Sequence, residues 1–186
     1  MRNPVATITL DDGRSIIVEL YPEIAPNTVN NFIQLANSGR YDGLKIHRIV
    51  KEFVMQGGSF TGDCHQENDE FSIKGEFSEN GFDNPLKHET GVISMARGNH
   101  FDSAATQWFI MHRPAERLDG KYAAFGQVIK GQDVVEELGY RPTDETPGNY
   151  NPPLTPIYTT KIRVELNEWN YTEPDRIIPG IPLSVK

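Results

Sequence analysis

The sequence predicts a mainly β fold, a closed antiparallel β structure that carries only two helices. Three observations lead there. Strand-like segments recur along the whole chain, only two segments have helical spacing, and no regular strand–helix alternation of the kind that builds a parallel sheet is present.

The elements follow in order. Residues 5–10 (VATITL) alternate with period two, Asp11-Asp12-Gly13 is a turn signal, and residues 14–20 (RSIIVEL) continue as a strand, so the chain opens with a β-hairpin. After Pro22 and Pro26, residues Val29, Phe32, Ile33 and Ala36 recur at i, i+3, i+4 and i+7, which is one face of a helix. The spacing predicts this helix over 27–38, with Asn27 or Thr28 capping its start and Gly39 its end. Strand signals then return at 46–50, 53–56, 91–96 (GVISMA), 107–112 (QWFIMH), 123–129 (AAFGQVI) and 160–166 (TKIRVEL). Val134, Val135 and Leu138 mark a second helix over 132–138, after Gly131. Residues 60–87 are polar and irregular, 140–156 form a Pro-rich connection, and no internal repeat occurs. The expected organisation is one domain over 1–170 and an irregular tail over 171–186. The tail has three prolines and no period after Trp169, a pattern compatible with wrapping the surface or standing free of it.

With 186 residues the chain is long enough to bury a substantial core, and 37% hydrophobic with 24% charged residues fits a soluble globular protein. A net charge of −8 repels phosphate backbones, so nucleic acid is not an expected partner. One cysteine, Cys64, forms no internal disulfide. No apolar stretch reaches the roughly 18 residues of a membrane-spanning helix. The first residues run straight into a strand without a signal-peptide core. The expectation is a cytoplasmic protein away from the membrane.

Several chemistries find no support in the sequence. Five histidines and many hydroxyls are present, but no nucleophile elbow of the GxSxG type. Cys64-His65 and His88-Glu89 are isolated pairs without the second pair that a zinc site needs, and both are expected in surface loops. Gly57-Gly58 and Gly75 build no phosphate loop. No metal and no cofactor is implied.

The unusual stretch is HRIVKEFVMQGG, residues 47–58, where His47, Arg48 and Gln56 are set among core-type residues. A strand through Arg48 puts Ile46, Arg48 and Val50 on one face and His47 and Ile49 on the other. Phe53, Val54 and Gln56 follow closely enough to gather near Arg48 if the next strand folds back. Gln107 and Phe109 alternate on a further strand, and LDGKY closes a loop beside it.

Taken with NTVNNFIQLANSGRYDG, GVISMA, QWFI and LDGKYAAFGQVIKGQDVVEEL, this stretch resembles the cyclophilins, a family of peptidyl-prolyl cis–trans isomerases. The motifs stand in the family's order and span about residues 6–166. The resemblance implies a closed eight-stranded antiparallel barrel with two capping helices and a substrate groove on the barrel's outer surface. It further implies that Arg48 is the catalytic donor and that Gln56 holds it or contacts the substrate backbone. Phe53, Val54, Phe109 and Leu118 would form the apolar slot for the proline ring, with Tyr122 at its edge. His47 would line the groove, Ala96, Arg97 and Gly98 would run beside the peptide and offer main-chain hydrogen bonds, and Gln107 would lie below the neighbouring subsite. The implied partners are proline-containing peptides and folding proteins, bound by a monomer. The alternative within the same family is a peptide-binding or chaperone-like module with little turnover.

Three positions depart from the family's most familiar members. Arg117 stands where those members carry Trp, so binding of the cyclic peptide cyclosporin is expected to be weak. Tyr122 replaces a histidine and Val54 a methionine, both in the manner of bacterial members. The acidic run Glu67-Asn68-Asp69-Glu70 lies where the gate of a secondary subsite would be, and suggests a basic residue one or two positions before the proline.

Overall fold

A computed structural model describes residues 2–61, 70–146 and 151–179. The opening hairpin is β1 (Val5–Leu10) and β2 (Ser15–Leu20). Their period-two pattern buries Ala6, Ile8, Leu10, Ile16, Val18 and Leu20 on one face. The turn works because Gly13 takes a positive φ of 85°, a conformation that costs glycine little. Six more strands follow: β3 (Arg48–Val50), β4 (Val54–Gly57), β5 (Val92–Met95), β6 (Trp108–Met111), β7 (Ala124–Lys130) and β8 (Thr159–Glu165). They form one sheet in the order β3-β4-β6-β5-β7-β2-β1-β8, antiparallel throughout.

The sheet curls but no ladder closes it. β3 and β8 are its two edges and do not pair as strands. Instead Ile46 N–H donates to Ile157 O (2.8 Å), Thr159 N–H to Leu44 O (2.8 Å), and Lys45 bridges Tyr158. The expected closed barrel is thus an open, curled sheet of the expected eight strands whose edges, among the described residues, meet through the lead-in to β3 and the start of β8. The reason lies in the brevity of β3. Lys45 N–H and His47 N–H donate on the β4 side, to Phe60 O and Gln56 O, and Ile49 N–H goes to Asn151 O instead of to β8. The same diversion breaks the expected alternation at Ile46. Ile46 is fully buried in the core rather than sharing Arg48's face, and His47 beside it is also buried.

Helix α1 (Pro26–Asn37) buries Val29, Phe32, Ile33 and Ala36, the face read from the spacing. Its start is not capped by Asn27 or Thr28. Ala25 occupies the cap position, Pro26 opens the helix, and the carboxylate of Glu76 accepts from Asn27 N–H (3.1 Å) and Thr28 N–H (2.8 Å). A carboxylate there satisfies two orphan donors and suits the positive end of the helix dipole. The end is the expected one: Gly39 has φ 81°, and Arg40 N–H reaches back to Leu35 O. Helix α2 (Gln132–Gly139) sends Val134, Val135 and Leu138 into the same core.

Past β8 the chain has no helix or strand among its described residues, yet it is tied along α1. Trp169 Nε1 donates to Asn30 Oδ1 (2.9 Å), Asn30 Nδ2 to Thr172 Oγ1 (2.9 Å), and Asn27 and Asp175 exchange two bonds. Arg176 donates to Asn31 Oδ1 (3.0 Å), and Ile177 pairs with Ser72. The tail wraps.

Candidate active site

Strand alternation splits the apolar residues of β4–β7 between two clusters. Met55, Ile93, Met95, Trp108, Ile110 and Phe125 face the core, whereas Val54, Val92, Phe109, Met111 and Ala124 gather with Leu118 on the opposite, outer face. Phe53 and Tyr122 pack at the margin of this outer cluster, beneath a groove of ≈ 880 Å³. All twelve residues anticipated from the sequence line that groove: His47, Arg48, Phe53, Val54, Gln56, Ala96, Arg97, Gly98, Gln107, Phe109, Leu118 and Tyr122.

Register brings the polar ones together. Arg48 of β3 is directly opposite Gln56 of β4, and Gln56 is opposite Phe109 of β6. Cross-strand neighbours on one face are within side-chain reach. Arg48 Nη1 donates to Gln56 Oε1 (3.1 Å), and Gln56 Nε2 donates to Gln107 Oε1 (2.9 Å). The guanidinium is therefore oriented by a neutral amide, and among the described residues no carboxylate pairs with it. Partial burial pulls its pKa below the usual arginine value, and the like charge of Arg117 adds to this. It remains a cation at neutral pH.

The slot beside it is a floor more than an exposed surface. Val54, Phe109 and Leu118 are only 2%, 5% and 6% exposed; Tyr122 crosses the edge of Phe109 at 5.9 Å and His88 stacks on it at 6.0 Å. Phe53 and Tyr122 are the half-exposed walls, so little of the slot's apolar surface stands open. Arg117 lies over the Phe53 ring at 4.2 Å and Arg97 over Tyr122 at 4.7 Å.

His47 stacks on Phe60 at 4.2 Å, and burial, aided by Lys45 and Arg48, holds its pKa down to about 4. It is neutral at pH 7 and adds no charge beside Arg48. The run 96–98 offers less main chain than expected. Ala96 N–H donates to Gln107 O, and Gly98 O accepts from Arg97 Nη1. The first of these continues the sheet pairing beyond β5 and β6, so that donor is spent within the protein.

His88 overturns its surface-loop expectation. It is buried, with Nδ1 3.0 Å from Asp119 Oδ1 and Nε2 3.0 Å from Ser94 Oγ. The carboxylate fixes the ring proton on Nδ1, so the Ser94 hydroxyl donates to Nε2. This is a Ser–His–Asp chain in geometry, but Ser94 is fully buried, so its oxygen meets no substrate. Its role is to pin the loop of Asp119 against β5 and set the ring that backs Phe109. Among the described residues no cluster of His, Cys, Asp and Glu could hold a metal. Cys64-His65 and residues 67–69 of the acidic run are outside the described residues.

Sequence reasoning missed part of the wall. Phe60, Phe71, Ser103, Ala105, Thr106 and Asn151 also line the groove. Asn151 arrives from the Pro-rich connection, where its φ of 52° is one that asparagine tolerates. Phe71 is backed by Arg176 of the tail at 3.8 Å. A positive-φ asparagine leaves no readable signal, and Phe71 falls in a stretch without period.

The profile of the family described as cyclophilin type peptidyl-prolyl cis-trans isomerase/CLD matches residues 5–164. Peptidyl-prolyl cis-trans isomerase B of Bacillus subtilis (strain 168) is 42% identical over 129 residues, covering 69% of this chain and 86% of the relative. A peptidyl-prolyl cis-trans isomerase of Streptomyces antibioticus is 34% identical over 169 residues, covering 86% of this chain and 99% of the relative. The crystal structure of a cyclophilin type peptidyl-prolyl cis-trans isomerase from Cryptosporidium parvum superposes with a TM-score of 0.72 at 23% identity, covering 88% of this chain and 98% of that one. The same protein in the presence of the dipeptide Ala-Pro gives a TM-score of 0.71 at 24% identity, covering 87% of this chain and 98% of that one.

Proposed function

The chain belongs to the cyclophilin type peptidyl-prolyl cis-trans isomerases, and from that premise we propose that its groove binds X–Pro segments of proteins and that Arg48 drives rotation about the imide bond. The observation that carries this is the pairing of a neutral-amide-held guanidinium with an apolar slot on one face of the sheet.

The chemistry runs from the bond itself. Rotating an X–Pro bond forfeits amide resonance, a barrier of roughly 18–20 kcal/mol. In the twisted state the imide nitrogen pyramidalises and its lone pair localises, so a hydrogen-bond donor gains an acceptor that the planar ground state lacks. Phe53, Val54, Phe109 and Leu118 seat the ring, Tyr122 borders it, and Arg48 presents N–H groups toward the nitrogen. Gln56 and Gln107 fix the aim of that donor. An interaction made mainly in the transition state accelerates the reaction. A gain of about 10⁵-fold requires roughly 7 kcal/mol, and a preorganised cation beside a water-poor slot is the kind of group that supplies much of it. His47, neutral and stacked, walls the groove, and residues 96–98 flank the bound chain.

The same reading takes proline-containing peptides and folding chains as substrates, with weak cyclosporin binding because Arg117 is a cation over Phe53. It treats the lead-in contacts between Lys45 and Tyr158 as sufficient to make the curled sheet behave as a closed barrel. It assigns residues 1–170 to the isomerase domain and places the protein in the cytoplasm, as its single cysteine and charged composition suggest. The test is a coupled tetrapeptide isomerisation assay. Arg48→Ala is expected to lower kcat/KM by two or more orders of magnitude while its circular dichroism and Tm stay near wild type. An unmutated protein that binds Ala-Pro peptides without accelerating their isomerisation would instead make the groove a binding module.

A further inference from the structure

Three arginines line the groove, Arg48, Arg97 and Arg117, and no carboxylate is among the described residues that line it. The protein as a whole carries −8, so this concentration of positive charge among the described residues is local and opposite in sign to the rest. Elsewhere arginines sit on acids: Arg14 on Asp12 and Glu137, Arg113 on Glu136, Arg141 on Glu137, Arg163 on Asp42. Among the described residues the three groove arginines have no such partner.

Two of them are held in place by other means. Arg97 Nε donates to Lys121 O (2.9 Å) and Nη1 to Gly98 O (3.0 Å), while the guanidinium faces Tyr122 at 4.7 Å and Phe77 and Phe101 at 5.2 Å. Arg117 is stacked on Phe53 at 4.2 Å. Aromatic faces steady a guanidinium through its plane and leave its N–H edge directed outward. Arg97 is thus on the Tyr122 wall and Arg117 on the Phe53 wall, one at each margin of the slot that Phe109 and Leu118 floor.

We propose that Arg97 and Arg117 make this site selective for X–Pro segments that carry an acidic side chain next to the proline, each arginine reading one side of the ring. The proposal rests on the isomerase reading of the groove and adds the charge of its substrate. A carboxylate meets a prepaid arrangement there. The guanidinium edges are already oriented, so little side-chain entropy is lost on pairing; the fork of Arg117 matches a carboxylate's two oxygens, while Arg97, whose Nε and Nη1 donate to Lys121 O and Gly98 O, offers its Nη2 edge. A lysine in the same place meets like charge. For half-exposed groups the effect is modest and salt-sensitive, about 3- to 10-fold per arginine at low ionic strength and close to nothing at 1 M salt.

The experiment is a tetrapeptide series with Glu, Gln or Lys immediately before the proline, and a second series with the same residues immediately after it, assayed for kcat/KM at 20 mM and 1 M salt (order-of-magnitude choices bracketing the screening range). The expected order is Glu above Gln above Lys at low salt, collapsing at high salt. Arg97→Gln and Arg117→Gln should each reduce the Glu-to-Gln ratio in one series and leave it in the other, and Arg117→Lys should keep it. Equal rates for Glu and Gln with normal turnover would overturn the charge preference and leave the isomerase intact. A preference for Lys would overturn it in favour of control by the acidic run 67–70. If no peptide is turned over, the isomerase reading fails instead, and isothermal titration of the Glu and Gln peptides still decides the charge preference by their relative Kd.

Discussion

Replacing Gln56 by leucine removes the group that aims Arg48 while leaving Arg48 in place. Gln56 Oε1 is 3.1 Å from Arg48 Nη1, and its amide nitrogen is 2.9 Å from Gln107 Oε1. A hydrogen bond to a charged donor contributes about 1.5–3 kcal/mol. Arg48 and Gln56 are both half-buried, so water replaces part of the lost interaction, and about 1–1.5 kcal/mol is a fair expectation. At 1.36 kcal/mol per tenfold change, this corresponds to a fall of roughly 5- to 15-fold in kcat/KM. Because the lost function is aim, the fall should come in kcat with KM little changed. Gln107→Leu, one bond further from the cation, should cost less. The assay is the coupled tetrapeptide isomerisation at fixed salt, with Tm measured in parallel to exclude misfolding. A Gln56→Leu protein within twofold of wild type, alongside a strongly impaired Arg48→Ala, would show that packing and not the amide chain orients the guanidinium.

His47 links stability to pH: its folded pKa is held near 4, below an unfolded value of about 6.5, so the unfolded chain binds the extra proton between those limits. Stability should be unaffected by this group above about pH 6.5 and should fall as pH drops toward 4, by about 3 kcal/mol at most, a loss that His47→Gln would flatten in urea titrations across that window. Gly139→Ala would put a Cβ 2.7 Å from His112 Cε1 in a site where the ring is buried, and should lower stability by about 1–3 kcal/mol, visible as a Tm drop of several degrees and partly restored by His112→Ala. Glu76→Ala strips the acceptor from Asn27 and Thr28 N–H at the buried start of α1 and should cost about 1–3 kcal/mol, with Glu76→Gln milder; equal Tm values for all three proteins would refute the cap.

The hairpin, the buried face of α1 and the alternation of β4 and β6 were legible because each is a local rule: a two-residue or 3.6-residue period states which side of its own element a residue takes. Strand ends were less so. Residues 46 and 47 have strand composition, yet their backbone groups go to Ile157 and Gln56, and β3 starts only at Arg48. The twelve residues named through the ordered motifs all line one groove, and six further lining residues carried no such signal. His88 was misjudged because its two partners, Asp119 and Ser94, come from different elements and its neighbour Glu89 suggested exposure.

By itself the sequence determined most of the strand and helix order and the family resemblance, since these reside in side-chain type and spacing, and through that resemblance it named the cation and slot residues that line the groove. Only the tertiary structure decided that Glu76 caps a helix 48 positions away, that Asn151 and Phe71 join the wall, that residues 169–176 are strapped to α1, and that three arginines share a groove in which no described residue is an acid. Each of these is a meeting of distant segments. Chain periodicity encodes a residue's direction within its element, whereas the partner it meets there is chosen by how the curled sheet brings remote segments into contact.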